Sequence, residues 1–120
     1  MNIGKLGENL AKEYLVKNNF NIIETNYHSR YGEVDIICED YEHIIFAEIK
    51  SKLYSSCSNL SERVNISKQN KILKTILLYL SENNIKKQPR IDVIEVIIFP
   101  KSYKINHIEN AFEMRNYEFF

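Results

Sequence analysis

The chain lacks the features that would tie it to a membrane, a secretory route or a cysteine-built scaffold. Its 120 residues hold two cysteines, Cys38 in a β-like run and Cys57 in a serine-rich stretch. That pair matches no zinc-ligand spacing and favours free thiols in a reducing compartment. No run approaches the ~18 apolar residues that a bilayer span needs. Met1 to Leu10 carries Lys5 and Glu8 and no apolar core segment, so no secretory leader is expected and the expected location is the cytoplasm. No internal repeat is visible, and there is no net charge, since sixteen basic residues balance sixteen acidic ones. That balance argues globally against a nucleic-acid binder. What is present, 44% hydrophobic and 27% charged residues, is ordinary globular composition, and a single domain over residues 1–120 is expected.

The charge is uneven all the same. Lys50 to Arg90 holds nine basic residues against two acids, Glu62 and Glu82. Local patches, not net charge, set where a phosphate backbone docks. Lys52, Arg63, Lys68 and Lys71 are therefore candidate nucleic-acid contacts; a solvated helix face followed by a lysine-rich loop explains the same residues.

Periodicity predicts a helix over Gly4–Lys17, with Leu10, Tyr14, Gly7, Ala11, Gly4 and Leu15 on one arc and Glu8 at its edge. Asn18-Asn19 ends it. Strands follow at Phe20–Tyr27, Gly32–Glu39 and Ile44–Lys50, the last two joined by only Asp40, Tyr41, Glu42 and His43 as a hairpin. Ser51–Glu62 reads as a mobile loop. Ser67 is a candidate N-cap for a helix through Glu82 whose inner arc holds Ile72, Leu73, Ile76, Leu77 and Leu80, with Gln69 on the same side. Ile91–Phe99 and Tyr103–Ile108 are the remaining strands. The order predicts an α/β fold: a central mixed sheet of four to five strands with a β-hairpin core, flanked by helices on both faces.

The hairpin carries the sharpest inference. With Tyr41-Glu42 as a two-residue turn, paired residue numbers sum to 83. Asp35 then faces Glu48, Glu33 faces Lys50, and the other face pairs Val34 with Ile49 and Ile36 with Ala47. Opposed side chains lie roughly 5 Å apart at Cβ. Two partly desolvated carboxylates at that spacing repel unless a cation lies between them. Hard oxygen ligands on a rigid sheet suit Mg²⁺ or Mn²⁺. Lys50, one step along the same face, suits holding a water or charge on a phosphate. An ion-pair ladder of Glu33 with Lys50, helped by Lys52, accounts for the same residues without a metal. His28, His43 and His107 lack metal spacing and read as surface residues.

The runs Gly32-Glu33-Val34-Asp35-Ile36-Ile37 and Phe46-Ala47-Glu48-Ile49-Lys50 resemble the core of PD-(D/E)xK nucleases, a restriction-endonuclease-like and Holliday-junction-resolvase-like superfamily. The chain resembles more closely the YraN-type family of bacterial proteins. The matching pieces are Gly4-x-x-Gly7-Glu8-x-x-Ala11, Asn26-Tyr27, Val64-x-x-x-Lys68-Gln69, Arg90-Ile91-Asp92-Val93 and Asn110-Ala111-Phe112. The resemblance implies Asp35, Glu48 and the Ile49 carbonyl as metal ligands, with Lys50 positioning the attacking water. It implies that Glu8 reaches the metal through water and that Glu33 stands behind the ligands, while Gln69 is a further candidate at the site. Asp92 matches a family position whose role a structural hydrogen bond would explain. The loop after Lys50, with neither Gly nor Pro, departs from the family pattern.

The function implied is a metal-dependent endonuclease acting on DNA, branched DNA included. The alternative is a nucleic-acid-binding or adaptor protein that keeps the fold without turnover. A third reading is a homodimer joined through the aromatic tail at Tyr117, Phe119 and Phe120.

Overall fold

The computed structural model describes residues 2–56 and 66–112. Cys57, Arg63, Val64 and the tail residues Tyr117, Phe119 and Phe120 lie outside them. The elements are α1 (Ile3–Lys17), β1 (Asn21–His28), β2 (Glu33–Glu39), β3 (His43–Leu53), α2 (Ile66–Glu82), β4 (Gln88–Ile98) and β5 (Tyr103–Ile108), with a short 3₁₀ turn at Tyr54–Ser56. The five strands form one mixed sheet in chain order. Only β3 and β4 run parallel, in register from His43 with Gln88 to Leu53 with Ile98. Parallel neighbours need a crossover connection, and α2 supplies it.

Local chemistry explains the boundaries. Asn2 caps α1, its side-chain oxygen accepting from the Lys5 amide at 3.0 Å. Asn19, at φ 68°, ends it in the left-handed conformation that Asn tolerates. The β2–β3 turn is drawn tight by Asp40, whose Oδ1 accepts from the Glu42 and His43 amides at 2.9 and 2.6 Å. The Ser29–Gly32 turn is pinned to α2, since Ser29 Oγ lies 2.8 Å from Thr75 Oγ1, which itself donates to the Lys71 carbonyl at 2.9 Å.

Both faces of the sheet are covered, so β3 and β4 are apolar on both sides. On one face α2 lays Ile72, Leu73, Ile76 and Tyr79 against Ile37, Ile44, Phe46 and Ile91. Tyr79 meets Phe46 and Tyr27 edge-on, at centroid distances of 5.6 and 5.2 Å. On the other face α1 lays Ala11 and Leu15 against Ile36, Cys38, Ile45, Ala47, Ile94 and Val96. Burying one such aliphatic or aromatic side chain contributes roughly 1.5–3 kcal/mol. The edge strands β1 and β5 alternate between exposed and partly buried residues instead.

The expected elements are all present, with several differences in detail. β3 runs to Leu53, through the start of the expected loop, because β4 pairs with its whole length. α2 begins at Ile66, so Ser67 lies inside its first turn rather than capping it. Gly4 is exposed, and Leu77 is only half-buried while Thr75 and Tyr79 are buried. Val34 packs with the α2-side cluster, not beside Ile36 on the α1 side.

Gly7 sets how closely α1 approaches the sheet. A Cβ there would collide with Ser51 Oγ and stand 2.7 Å from Ser51 Cβ on β3. We expect Gly7→Ala to destabilise the fold by about 1–2 kcal/mol, an overpacking cost partly offset by better helix propensity. Ser51→Gly in the same chain should restore the loss. Urea denaturation of the single and double variants checks this; additive losses would contradict the contact.

Candidate active site

The site grows from a break in the β2–β3 ladder. The observed pairs are Ile36 with Ala47, Ile37 with Phe46, Cys38 with Ile45 and Glu39 with Ile44, so paired numbers sum to 83 as the sequence pattern requires. The Asp40 amide donates to the His43 carbonyl at 3.1 Å. Backbone-bonded pairs then recur at every second residue, and after Ile36–Ala47 the next would be Val34 with Ile49. The ladder stops short of that pair. The Ile49 amide donates instead to Asp35 Oδ2 at 2.8 Å. A side-chain carboxylate thus replaces a backbone carbonyl just where the strands part and where Val34 leaves its expected face.

Glu48 stands beside that gap, only 9% exposed. Lys68, from the first turn of α2, places Nζ 2.8 Å from Glu48 Oε1. Burial, then the Glu48 charge, drives the Asp35 pKa from 3.8 up to about 7; the Ile49 amide pulls the other way, and Glu33 and Glu8 add to the rise. The hydrogen bond to Glu48 holds the Lys68 pKa above its ordinary value, despite the opposing effect of burial. The site thus combines one carboxylate that has a cation with a second that is held by an amide.

The other expected residues fall around this pair. Glu8 comes in on α1, where Asn26 Nδ2 donates to its Oε1 at 3.0 Å and Lys12 Nζ lies 3.9 Å away. Asn26 sits at φ 53°, a left-handed position that Asn accepts readily. Glu33 is at the rim, 3.2 Å from His28 Nδ1, so the ladder partner expected for it is not the one it takes. Lys50 and Lys52 follow Glu48 at alternate positions of β3, and β3 is in register with β4, where Lys50 faces Glu95. Glu95 is buried and accepts from Asn106 Nδ2 at 2.8 Å. Gln69 is half-buried beside Lys68, and Lys71 is exposed one turn on.

Two features were missed in the sequence. Lys68 was placed among outer phosphate contacts, yet it reaches into the site, a long-range contact to β3 that no local sequence pattern signals. His107 is not a surface residue: its side chain is 9% exposed and belongs to a network on the α1 face. Asp92 Oδ2 lies 2.7 Å from His107 Nε2, and His107 Nδ1 lies 2.8 Å from the Tyr14 hydroxyl. Arg90 donates to both Asp92 oxygens at 2.9 and 3.0 Å, and the Asn110 amide adds a bond at 3.0 Å. Burial works to raise the Asp92 pKa, but the bonds from His107, Arg90 and Asn110 outweigh it and hold it below the usual range. An ionised carboxylate only accepts, so His107 Nε2 donates and, in the neutral ring, Nδ1 accepts from Tyr14. Asp92 is thus the structural hydrogen-bond centre that ties α1, β4 and β5 together.

The raised Asp35 pKa has a sign. The folded state holds this proton more tightly than the unfolded chain, so stability falls as pH rises from about 4 to about 7 and levels off above. Asp35→Asn keeps an oxygen for the Ile49 amide and removes the ionisation. In a chelating buffer it should exceed the wild type in stability by on the order of 2–4 kcal/mol at about pH 8, with the gap closing towards about pH 4. Urea denaturation across that range checks it; a gap that does not change with pH would contradict the raised value.

Comparisons with known proteins give the chain its family. Residues 7–96 match the model of the family described as "Uncharacterised protein family UPF0102". A UPF0102 protein of Alkaliphilus oremlandii is 42% identical over 113 residues, covering 92% of this chain and 97% of that protein. One of Caldanaerobacter subterraneus subsp. tengcongensis is 39% identical over 114 residues, covering 92% and 93%. One of Clostridium beijerinckii is 41% identical over 118 residues, covering 93% and 94%. The matched span holds Glu8, Asp35, Glu48, Lys50 and Lys68. The chain belongs to the UPF0102 family, the YraN-like family that its motifs resemble.

Proposed function

We propose that this chain is a divalent-cation-dependent phosphodiesterase of the PD-(D/E)xK type acting on DNA, branched DNA included. In this reading Asp35 and Glu48 hold the cation and Lys50 serves the attacking water. The observation that carries it is the strand fork, where the Asp35 carboxylate is held by the Ile49 amide beside the buried Glu48 carboxylate.

The donor set fits a hard cation. Among the described residues no three His, Cys, Asp or Glu side chains gather as a metal cluster. Mg²⁺ does not need one, because it is commonly bound by one or two carboxylates, waters and substrate phosphate oxygens. The Ile49 carbonyl is the third protein ligand that the family resemblance implies. Bound Mg²⁺ or Mn²⁺ would supply positive charge to the two carboxylates and polarise a phosphoryl oxygen.

The chain's own residues do the rest. The Ile49 amide fixes the Asp35 rotamer, and Lys68 holds Glu48 and balances its charge. Lys50, two positions past Glu48, orients a water or meets charge developing on the phosphate. Glu8, steadied by Asn26, reaches the site through water. Lys52 and Lys71 stand where a phosphate backbone would pass. A cation on Glu48 would take over the charge that Lys68 now balances, and the Lys68 ammonium would then be available to a phosphate.

The 2.8 Å Lys68–Glu48 pair also supports the second reading, since one carboxylate already has a counter-ion. In that reading the protein binds nucleic acid and does not turn over. Cleavage of linear duplex, single-stranded and four-way-junction DNA with Mg²⁺ or Mn²⁺ separates the two. We expect product from the wild type and a loss of at least about 10²-fold in Asp35→Ala and Lys50→Ala. The same background from wild type and Asp35→Ala on all three substrates would remove the enzyme reading. Junction binding that survives Glu48→Ala and Lys50→Ala, with no product at any metal level, would select the second.

A further inference from the structure

The far end of β3 and β4 carries a pair of aromatic rings that the site just described does not use. Tyr54, directly after β3, and Phe99, directly after β4, stack at a centroid distance of 5.5 Å and an interplanar angle of 20°. They are brought together by the parallel register that ends at Leu53 with Ile98. Both stay in contact with solvent, at 50% exposure for Tyr54 and 38% for Phe99. A stacked pair that the core does not cover is accessible to a further planar group.

The two chain segments that carry the pair are basic. Residues 49–56 contain Lys50 and Lys52 and no acid, and residues 96–108 contain Lys101 and Lys104 and no acid. Lys52 is in register with Ile97, and Ile97 with Lys104, so the two lysines flank one residue on the same side of the sheet. That side is also the side of Glu48 and Lys50, because β3 residues alternate. Tyr54 lies about 20 Å along the strand from Glu48. Stacking rings beside a basic track is the chemistry that holds single-stranded nucleic acid, since every base has a π-face and every nucleotide a phosphate. A duplex keeps its base faces inside the stack and cannot use the rings in that way.

We propose that the Tyr54–Phe99 stack and the lysines around it form a platform for unpaired bases, so that the substrate at the Asp35–Glu48 site is a strand with a single-stranded segment. The inference rests on the phosphodiesterase reading for the direction of the strand, but binding tests it without any cleavage. A flexible strand lies along β3, its bases on the rings and its phosphates on Lys52 and Lys104, and leads back to Glu48.

The experiment is fluorescence anisotropy of a labelled oligodeoxythymidylate and of a duplex of the same length, in a chelating buffer. The wild type should bind the single strand more tightly than the duplex. Tyr54→Ala with Phe99→Ala should weaken single-strand binding about 10- to 100-fold and leave duplex binding unchanged. Tyr54→Phe should bind as the wild type does, because the ring remains. Lys104→Ala should lower the salt slope for the single strand by about 0.7. If the double variant does not fold, Tyr54→Ala alone, at the more exposed ring, decides. Unchanged single-strand binding, or an equal loss for both nucleic acids, would overturn the proposal. So would a mass that falls from dimer to monomer in Tyr54→Ala by sedimentation, which would make the stack a contact between copies. Asp35→Ala should bind the single strand at least as tightly as the wild type, so a failure of the cleavage reading and a failure of the platform give different results.

Discussion

The bond from the Ile49 amide to the Asp35 carboxylate is what the rest of the site depends on. A hairpin that paired to its ends would satisfy Ile49 with a backbone carbonyl and leave Asp35 to find its own partner. Here the strands part after Ile36–Ala47, and the carboxylate closes the open ladder. One interaction satisfies a backbone donor, orients a carboxylate and opens a gap beside Glu48. The gap is possible because β3 does not rely on β2 beyond this point: it is held along its whole length by parallel pairing with β4.

The electrostatics follow from that geometry. Two carboxylates brought near one another and partly out of water need positive charge, and Lys68 brings a cation to Glu48. Asp35 is left with the amide and a pKa pushed up to about 7 by burial and by Glu48. On the opposite face the chain solves the same problem completely. Asp92 is also buried, but Arg90, His107 and the Asn110 amide satisfy it and hold its pKa down. A buried charge with a full set of partners is structural, whereas one with an incomplete set is available for a ligand. The contrast between Asp92 and Asp35 is the physical reason to assign architecture to one and chemistry to the other.

Much of this was legible in the residues. Alternation and a four-residue connection fixed the register of β2 and β3, and that register placed Asp35 and Glu48 together. The apolar runs of β3 and β4 signalled a sheet covered on both faces, and α1 and α2 cover them. What alternation could not show is where it fails. Val34 was assigned to the face of Ile36 and Ala47 because a regular strand would put it there, and the break at Asp35 sends it to the other face. Long-range contacts were equally hidden. Lys68 looked like an outward base because nothing in the local pattern reports that the start of α2 lies over Glu48. His107 looked like a surface residue because it lacks metal-ligand spacing, and its partners Tyr14 and Asp92 lie far away in sequence.

The central claim is that Asp35 and Glu48 are arranged for a cation, and Mn²⁺ titration calorimetry tests it most directly. The account predicts one saturable Mn²⁺ site in the wild type, its loss in Asp35→Ala, and binding at least as tight in Lys68→Ala, where the competing ammonium is gone. A wild type that takes up no Mn²⁺ at millimolar concentration, or an Asp35→Ala protein that binds it equally well, would contradict the account.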